Sequence, residues 1–180
     1  MDEKYLLTTP MAQRLYFETA KQLPLIDYHN HLSAADIAAD RHFGDVAEIW
    51  LLDDLEQGAH GLPKTILYTL NPADNAVMSV LSGSFIGVTQ GPAWWWCDHL
   101  QGMREMLDVF SCFSVLSTFP GMTTDSRSLL SMLRHDYFRR CFCGWAGERA
   151  ARGELPGSFE ELSGLVKAVC YGNAKKLAQL

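Results

Sequence analysis

His29 and His31, one residue apart in Leu25-Ile26-Asp27-Tyr28-His29-Asn30-His31-Leu32, are the residues of this chain best suited to chemistry. Side chains of an extended strand alternate between faces, so two imidazoles at this spacing point to the same side. Such a pair offers a divalent cation two of its ligands. With 6 His in 180 residues the bare pair also arises from composition, and its surroundings must decide. A second polar cluster is Thr124-Asp125-Ser126-Arg127-Ser128. Asp125, at a strand end, is a candidate third ligand, and the planar guanidinium of Arg127 offers a fork for a substrate carboxylate. The plainer reading of Asp125 and Ser126, as caps of a helix starting near Ser128, stays open on spacing alone.

The elements that must position these residues alternate in type. Residues 10–23 have helical spacing, with Pro10 suited to the first turn and Leu15, Tyr16 and Ala20 on one side. Leu25 to His31 reads as a short buried strand, and Ser33, followed three residues later by Asp36, as a helix start. Residues 45–57 are helical in pattern. Thr65 to Leu70 favours a strand that Asn71-Pro72 ends. Asp74 is placed to cap a helix through Leu81, and Phe85 to Thr89 is a weaker strand before Gln90-Gly91-Pro92. Residues 102–117 are helical. So are Leu129 to Arg140, with Leu130, Leu133, Tyr137 and Phe138 near one stripe, and residues 158–178. Strand and helix in alternation predict an α/β protein with a parallel sheet, whose ligand site lies beyond the carboxyl ends of the strands. Both polar clusters fall at such ends.

Composition narrows the function classes. The chain is 48% apolar and 20% charged, which fits one globular domain spanning residues 1–180. A net charge of −6 argues against nucleic acid and anionic membrane surfaces as partners and leaves small molecules or protein. Five Cys form no disulfide-type framework, and Met1-Asp2-Glu3-Lys4 lacks a basic region followed by an apolar stretch. A reducing cytoplasm is the expected compartment. No run of about 18 apolar residues occurs to span a membrane.

The segments Leu25 to Ser33, Leu62 to Pro72, Trp94-Trp95, Thr124 to Ser128 and Arg134 to Arg140 together resemble uronate isomerase, also called glucuronate isomerase. That family belongs to the metal-dependent amidohydrolase superfamily of TIM (β/α)8 barrels. It interconverts aldohexuronates with ketohexuronates, such as glucuronate with fructuronate and galacturonate with tagaturonate. The resemblance covers nearly all residues. It implies a divalent metal, commonly zinc, held by His29 and His31 from the first strand and Asp125 from the eighth. It also implies that Arg127 binds the hexuronate and that a Trp of the Trp94-Trp95 pair lines the pocket.

The chain departs from the family in length, since a (β/α)8 barrel needs about 250 residues and at least roughly 200. The amino-terminal likeness runs to about Trp50-Leu51, and Leu52-Asp53-Asp54-Leu55 already resembles the segment before the sixth strand. Strands two to five are therefore missing at about residues 51–52. What remains is a partial barrel with strands equivalent to 1, 6, 7 and 8, neighbours around a closed barrel, with edges that favour self-association.

Three functions follow in order. The first is aldose–ketose isomerisation, with Asp125 as proton carrier as well as ligand. The second, favoured over it for the short chain, is a catalytically inactive remnant that at most binds metal. The third is hydrolysis by metal-bound water, against which the Asp125-Ser126-Arg127 match counts. Among the other residues, Trp96 reads as packing, and the Trp94-Trp95-Trp96 run as core or a stacking platform. Cys141 and Cys143 diverge on a helix, which argues against a metal or redox role. Arg134-His135-Asp136 and Arg139-Arg140 read as a solvated or interdomain helix face. His42, His60 and His99 read as structural or exposed.

Overall fold

The computed structural model describes residues 2–28, 64–69, 71–92, 98–125 and 129–178. His29, His31, Trp94, Trp95, Trp96, Arg127, His42, His60, the expected helices at Ser33 and 45–57 and the join at 51–52 lie outside the described residues.

The first helix forms where the sequence predicts it. Thr9 Oγ1 accepts from the Ala12 amide at 3.0 Å, and Pro10 supplies a preset φ at the first turn of α1 (Pro10–Arg14). The helix widens into a π turn over Leu15–Thr19 and tightens to 3-10 geometry over Ala20–Gln22. Leu15, Tyr16 and Ala20 are all buried, as their shared side requires.

Two strands follow, β1 (Thr65–Leu67) and β2 (Val88–Gln90), paired in parallel with Thr65 opposite Val88. The crossover between them is α2 (Asn75–Ser84). Asp74 stands at its N-cap but makes no capping hydrogen bond. Instead Asn71 caps the 3-10 turn Pro72–Asp74 ahead of it, through Oδ1 and the Ala73 amide at 3.2 Å. The strand expected at Phe85 starts three residues later, because Gly87, at φ 85°, turns the chain first. Buried Gln90 locks the unit: its Oε1 accepts from Ser79 Oγ at 2.5 Å, its Nε2 donates to Asn75 Oδ1 at 3.1 Å, and its amide donates to Ser82 Oγ at 3.1 Å.

The carboxyl-terminal half is helical. His99 Nδ1 accepts from the Gly102 amide at 3.2 Å and caps α3 (Leu100–Phe113), which gives this histidine its structural role. A 3-10 turn, Leu129–Met132, opens α4 (Leu133–Ala151). Ser158 caps α5 (Phe159–Lys167), which passes through a π turn, Ala168–Gly172, into α6 (Asn173–Leu177). The core joins these helices to α1. Tyr16, Met106, Phe110, Phe119, Phe138, Phe142, Leu162 and Val166 are all closed to solvent, and each contributes about 1.5–3 kcal/mol of burial. Phe138, Phe142 and Trp145 stack in file along α4, with ring centroids 6.0 Å apart at each step. Helix α1 packs close on α4 at Gly147, where a Cβ would fall 2.7 Å from the Ala12 amide nitrogen.

Four expectations are corrected. His135 and Arg139, read as part of a solvated or interdomain face, are 6% and 5% exposed. They lie on the inner stripe of α4 with Phe138 and Phe142, and the Arg139 guanidinium is satisfied by backbone carbonyls: Leu23 at 2.8 Å, Pro24 at 2.6 Å and Cys170 at 3.2 Å. Leu130 and Leu133, expected on a stripe with Phe138, are 80% and 72% exposed, because that stripe begins only at His135. Leu25, expected in a buried strand, is 46% exposed. Finally, the strand expected from Leu25 to His31 forms no ladder over its described part, residues 25–28, and neither does the segment leading to Asp125, among the described residues. Pro24 and Pro120 have no amide hydrogen, and Gly121 (φ 79°) and Asp125 (φ 45°) interrupt extended geometry.

Burial pushes the Cys141 thiol up to about 11 and holds Cys143 well above the ordinary thiol value.

Candidate functional site

Residues 24–28, β1, β2 and residues 121–125 bring their carboxyl ends to one place. Asp27 Oδ2 accepts from the Thr124 amide at 3.1 Å and also from Thr124 Oγ1, so a side chain makes the junction that a backbone ladder would make between adjacent strands. Tyr68, the residue after β1, packs over Gly91, the residue after β2. A Cβ on Gly91 would come within 2.6 Å of the Tyr68 ring and 2.9 Å of Ile66 Cγ2, so only glycine lets the ring cover the strand end.

The electrostatics place the remaining groups. Burial pushes Tyr68 up to about 12. Its neighbour Tyr28 opposes that rise, while the carboxylates of Asp125 and Asp27 add to it. Tyr28 is raised well above the ordinary phenol, first by burial and then by Tyr68 beside it. Asp27, Tyr28, Tyr68, Thr124 and Asp125 therefore share one neighbourhood at the strand ends, with both tyrosines kept protonated at neutral pH.

A second layer supports the first from α4. His135 Nε2 stands 3.7 Å from Asp27 Oδ2, and burial holds this imidazole below its ordinary value against the pull of Asp27. Arg134 Nη1 donates to the Thr124 carbonyl at 2.8 Å, and its Nη2 lies 2.6 Å from Asp98 Oδ2.

Of the residues singled out in the sequence, Asp125 falls within the described residues, and it sits at this site. It is half-buried and left-handed, which Asp tolerates better than most residues. The next described element after it is the 3-10 turn Leu129–Met132, and Ser126 and Ser128 of the capping alternative lie outside the described residues. Among the described residues no group of three or more His, Cys, Asp or Glu is gathered as a metal cage.

Sequence reasoning gave no site role to Asp27, Tyr28, Tyr68 or Thr124 and read Arg134 and His135 as part of a solvated or interdomain face. A signal existed for Asp27, because the alternation that pairs 29 with 31 extends back to 27. Another existed for His135, which precedes Phe138, Arg139 and Phe142 at helical spacing. Nothing in the sequence pointed to Arg134 over its neighbouring arginines.

Comparison with known proteins gives a consistent result. The family model described as glucuronate isomerase matches residues 1–57 and 51–178. Uronate isomerase of Vibrio vulnificus is 44% identical over 132 residues, covering 70% of this chain and 28% of that protein. Uronate isomerase of Bacillus pumilus is 47% identical over 135 residues, covering 72% and 28%. The crystal structure of uronate isomerase from Thermotoga maritima superimposes with a TM-score of 0.62 at 33% identity, over 76% of this chain and 30% of that one. Glucuronate isomerase from Caulobacter crescentus superimposes at 0.59 with 25% identity, over 63% and 24%. The chain thus spans less than a third of the length of the relatives it matches. On the family match, chain-wide and in sequence and fold alike, this protein belongs to the glucuronate isomerase family.

Proposed function

We propose that this chain carries the metal-holding and proton-transferring part of a uronate isomerase site, which interconverts an aldohexuronate and the corresponding ketohexuronate. The observation that carries the reading is the Asp27–Thr124 junction. It sets the residue before Asp125 against the segment that leads directly into His29 and His31 in sequence. Two imidazoles and a carboxylate suit zinc or a similar divalent ion, and half-buried Asp125 would supply the carboxylate. His29, His31 and Asp125 would hold it. When bound, the ion supplies a Lewis acid for the oxygen on which negative charge develops.

The isomerisation is redox-neutral within the sugar. A base takes the proton from C2 and returns it to C1, while a hydroxyl proton passes from O2 to O1. Asp125 is the candidate proton carrier. Arg127 would clamp the distant carboxylate through its planar fork, and Trp94 or Trp95 would cover the sugar. Tyr28 and Tyr68, both protonated, add no negative charge of their own beside Asp125.

The same reading includes a half-barrel with strands equivalent to 1, 6, 7 and 8. The two stretches of the family match meet between residues 51 and 57, which supports an internal join there. Hexuronates of both the glucuronate and galacturonate type are the proposed substrates. The four free thiols among the described residues support a reducing cytoplasm.

A second reading is an inactive remnant that at most binds metal, in a chain whose match spans 28% of a relative's length. A coupled assay of glucuronate isomerisation separates the two, run on the 180-residue chain and on a chain with the missing segment restored from a relative. The restored chain should turn over and lose activity on Asp125→Asn. The short chain should retain little, because positioning groups supply several orders of magnitude. A restored chain indifferent to Asp125→Asn would sink the proposal. Turnover by the short chain within tenfold of the restored one would overturn the remnant reading.

A further inference from the structure

The peptide groups on both sides of Thr124 are gripped. Asp27 takes the amide at 3.1 Å, and Arg134 takes the carbonyl at 2.8 Å. The Arg134 grip is itself anchored. Arg134 is held by Asp98 at 2.6 Å, a carboxylate side chain 7% exposed, while His135 Nε2 packs 3.7 Å from Asp27 Oδ2, beyond hydrogen-bond distance. Asp125 then turns left-handed at φ 45°, so strand alternation no longer sets the direction of its carboxylate. The orientation of the preceding peptide plane sets it instead.

We propose that Asp27 and Arg134 are positioning residues that fix the two peptides flanking Thr124 and thereby aim the Asp125 carboxylate. The inference rests on the isomerase reading for what Asp125 does, and on geometry alone for how it is held. Arg134 comes from a helix, Asp27 from the segment leading into the His pair. The carboxylate is thus referenced to both the strand ends and the layer behind them. Outer partners of this kind typically carry about 10–100-fold in metal affinity.

The test uses the 180-residue chain with Co2+ as the probe, read by equilibrium dialysis and visible absorption. It compares the parent, Arg134→Met, Asp27→Ala and, as a distant surface control, Arg152→Met. Amide hydrogen exchange at Thr124 is followed in the same proteins without metal. The parent and Arg152→Met should bind alike. Arg134→Met and Asp27→Ala should weaken binding by about tenfold or more and change the d–d spectrum, with near-ultraviolet dichroism retained. Asp27→Ala should also speed Thr124 exchange by about tenfold or more as the amide loses its acceptor. If Asp27→Ala fails to fold, Arg134→Met decides, since its side chain is 40% exposed and its loss leaves the core intact. Parent-like Co2+ affinity and spectrum in Arg134→Met overturn the inference. A parent that binds no Co2+ sinks the metal reading, and Thr124 exchange then decides the positioning alone, with unchanged exchange in Asp27→Ala overturning it.

Discussion

His135 Nε2 lies 3.7 Å from Asp27 Oδ2, a buried imidazole facing the carboxylate that holds Thr124. Burial is the largest influence on this histidine and lowers its pKa below 6.5, against the opposing pull of Asp27. The folded state therefore prefers the neutral ring. That contribution to stability is complete above the unfolded value of about 6.5 and is lost as pH falls from there through the lower folded value. Urea unfolding at a series of pH values from 7.5 to 5 should show declining stability, and His135→Gln should flatten that part of the curve. An unchanged slope in the variant would contradict the assignment.

Arg139 holds three backbone carbonyls with one guanidinium. Arg139→Met leaves these acceptors unpaired and should cost about 3 kcal/mol. For a chain of this size that lowers Tm by roughly 6–12 °C. Arg139→Lys should restore only part, because a single ammonium lacks the planar fork. Thermal melts check both, and a drop under about 2 °C for the Met variant would show that the carbonyls find other donors.

The approach of α1 to α4 leaves no space at Gly147. Gly147→Val should destabilise by about 1–3 kcal/mol through overpacking. Gly157→Ala, where nothing lies within 4 Å of the added carbon, should stay within about 0.5 kcal/mol of the parent. Equal denaturant midpoints for the two variants would rule out the tight contact.

Among the described cysteines, Cys112 is exposed, whereas Cys141 and Cys143 are buried. Iodoacetamide labelling followed by peptide mass spectrometry should modify Cys112 first. The buried pair should lag by roughly a hundredfold, since their reaction waits on opening of the helix packing. Comparable rates at Cys112 and Cys143 would mean that the core of α4 opens freely.

Leu25, Leu130 and Leu133 line one groove with Leu23 and Pro24, an apolar surface open to water. Together with a β1 that has one ladder partner among the described residues, this favours association of the chain with itself. Light scattering after size exclusion should report mass rising with micromolar concentration, and Leu133→Lys should reduce it. A parent that remains monomeric throughout would contradict the expectation.

Legibility of the sequence followed the range of the forces involved. The helix at Pro10, the parallel pair and the helical carboxyl-terminal half were readable because caps, β-branched residues and apolar periodicity act locally. Three features were not. Asn71 displaced Asp74 as a cap because the chain turned before the helix began. Leu133 faces solvent because the inward stripe of α4 starts at His135, a phase that only its tertiary partners set. Arg139 looked like a surface charge because its partners are carbonyls of residues 23, 24 and 170, and backbone acceptors leave no mark in a sequence. At the site, Asp125 was visible through its motif, while its grip by Asp27 and Arg134 was not, since those contacts span 97 and 10 residues.

The guanidinium of Arg139 also sets an order of events during synthesis. It ties Leu23 and Pro24 to Cys170, so the segment leading into the His pair gains its full anchorage only after about 150 further residues have left the ribosome. At about 5–20 residues per second this is a wait of roughly eight to thirty seconds. Over that interval a translating ribosome carries Leu23 and Pro24 without their tie to Cys170, and nascent-chain binding factors would find them there.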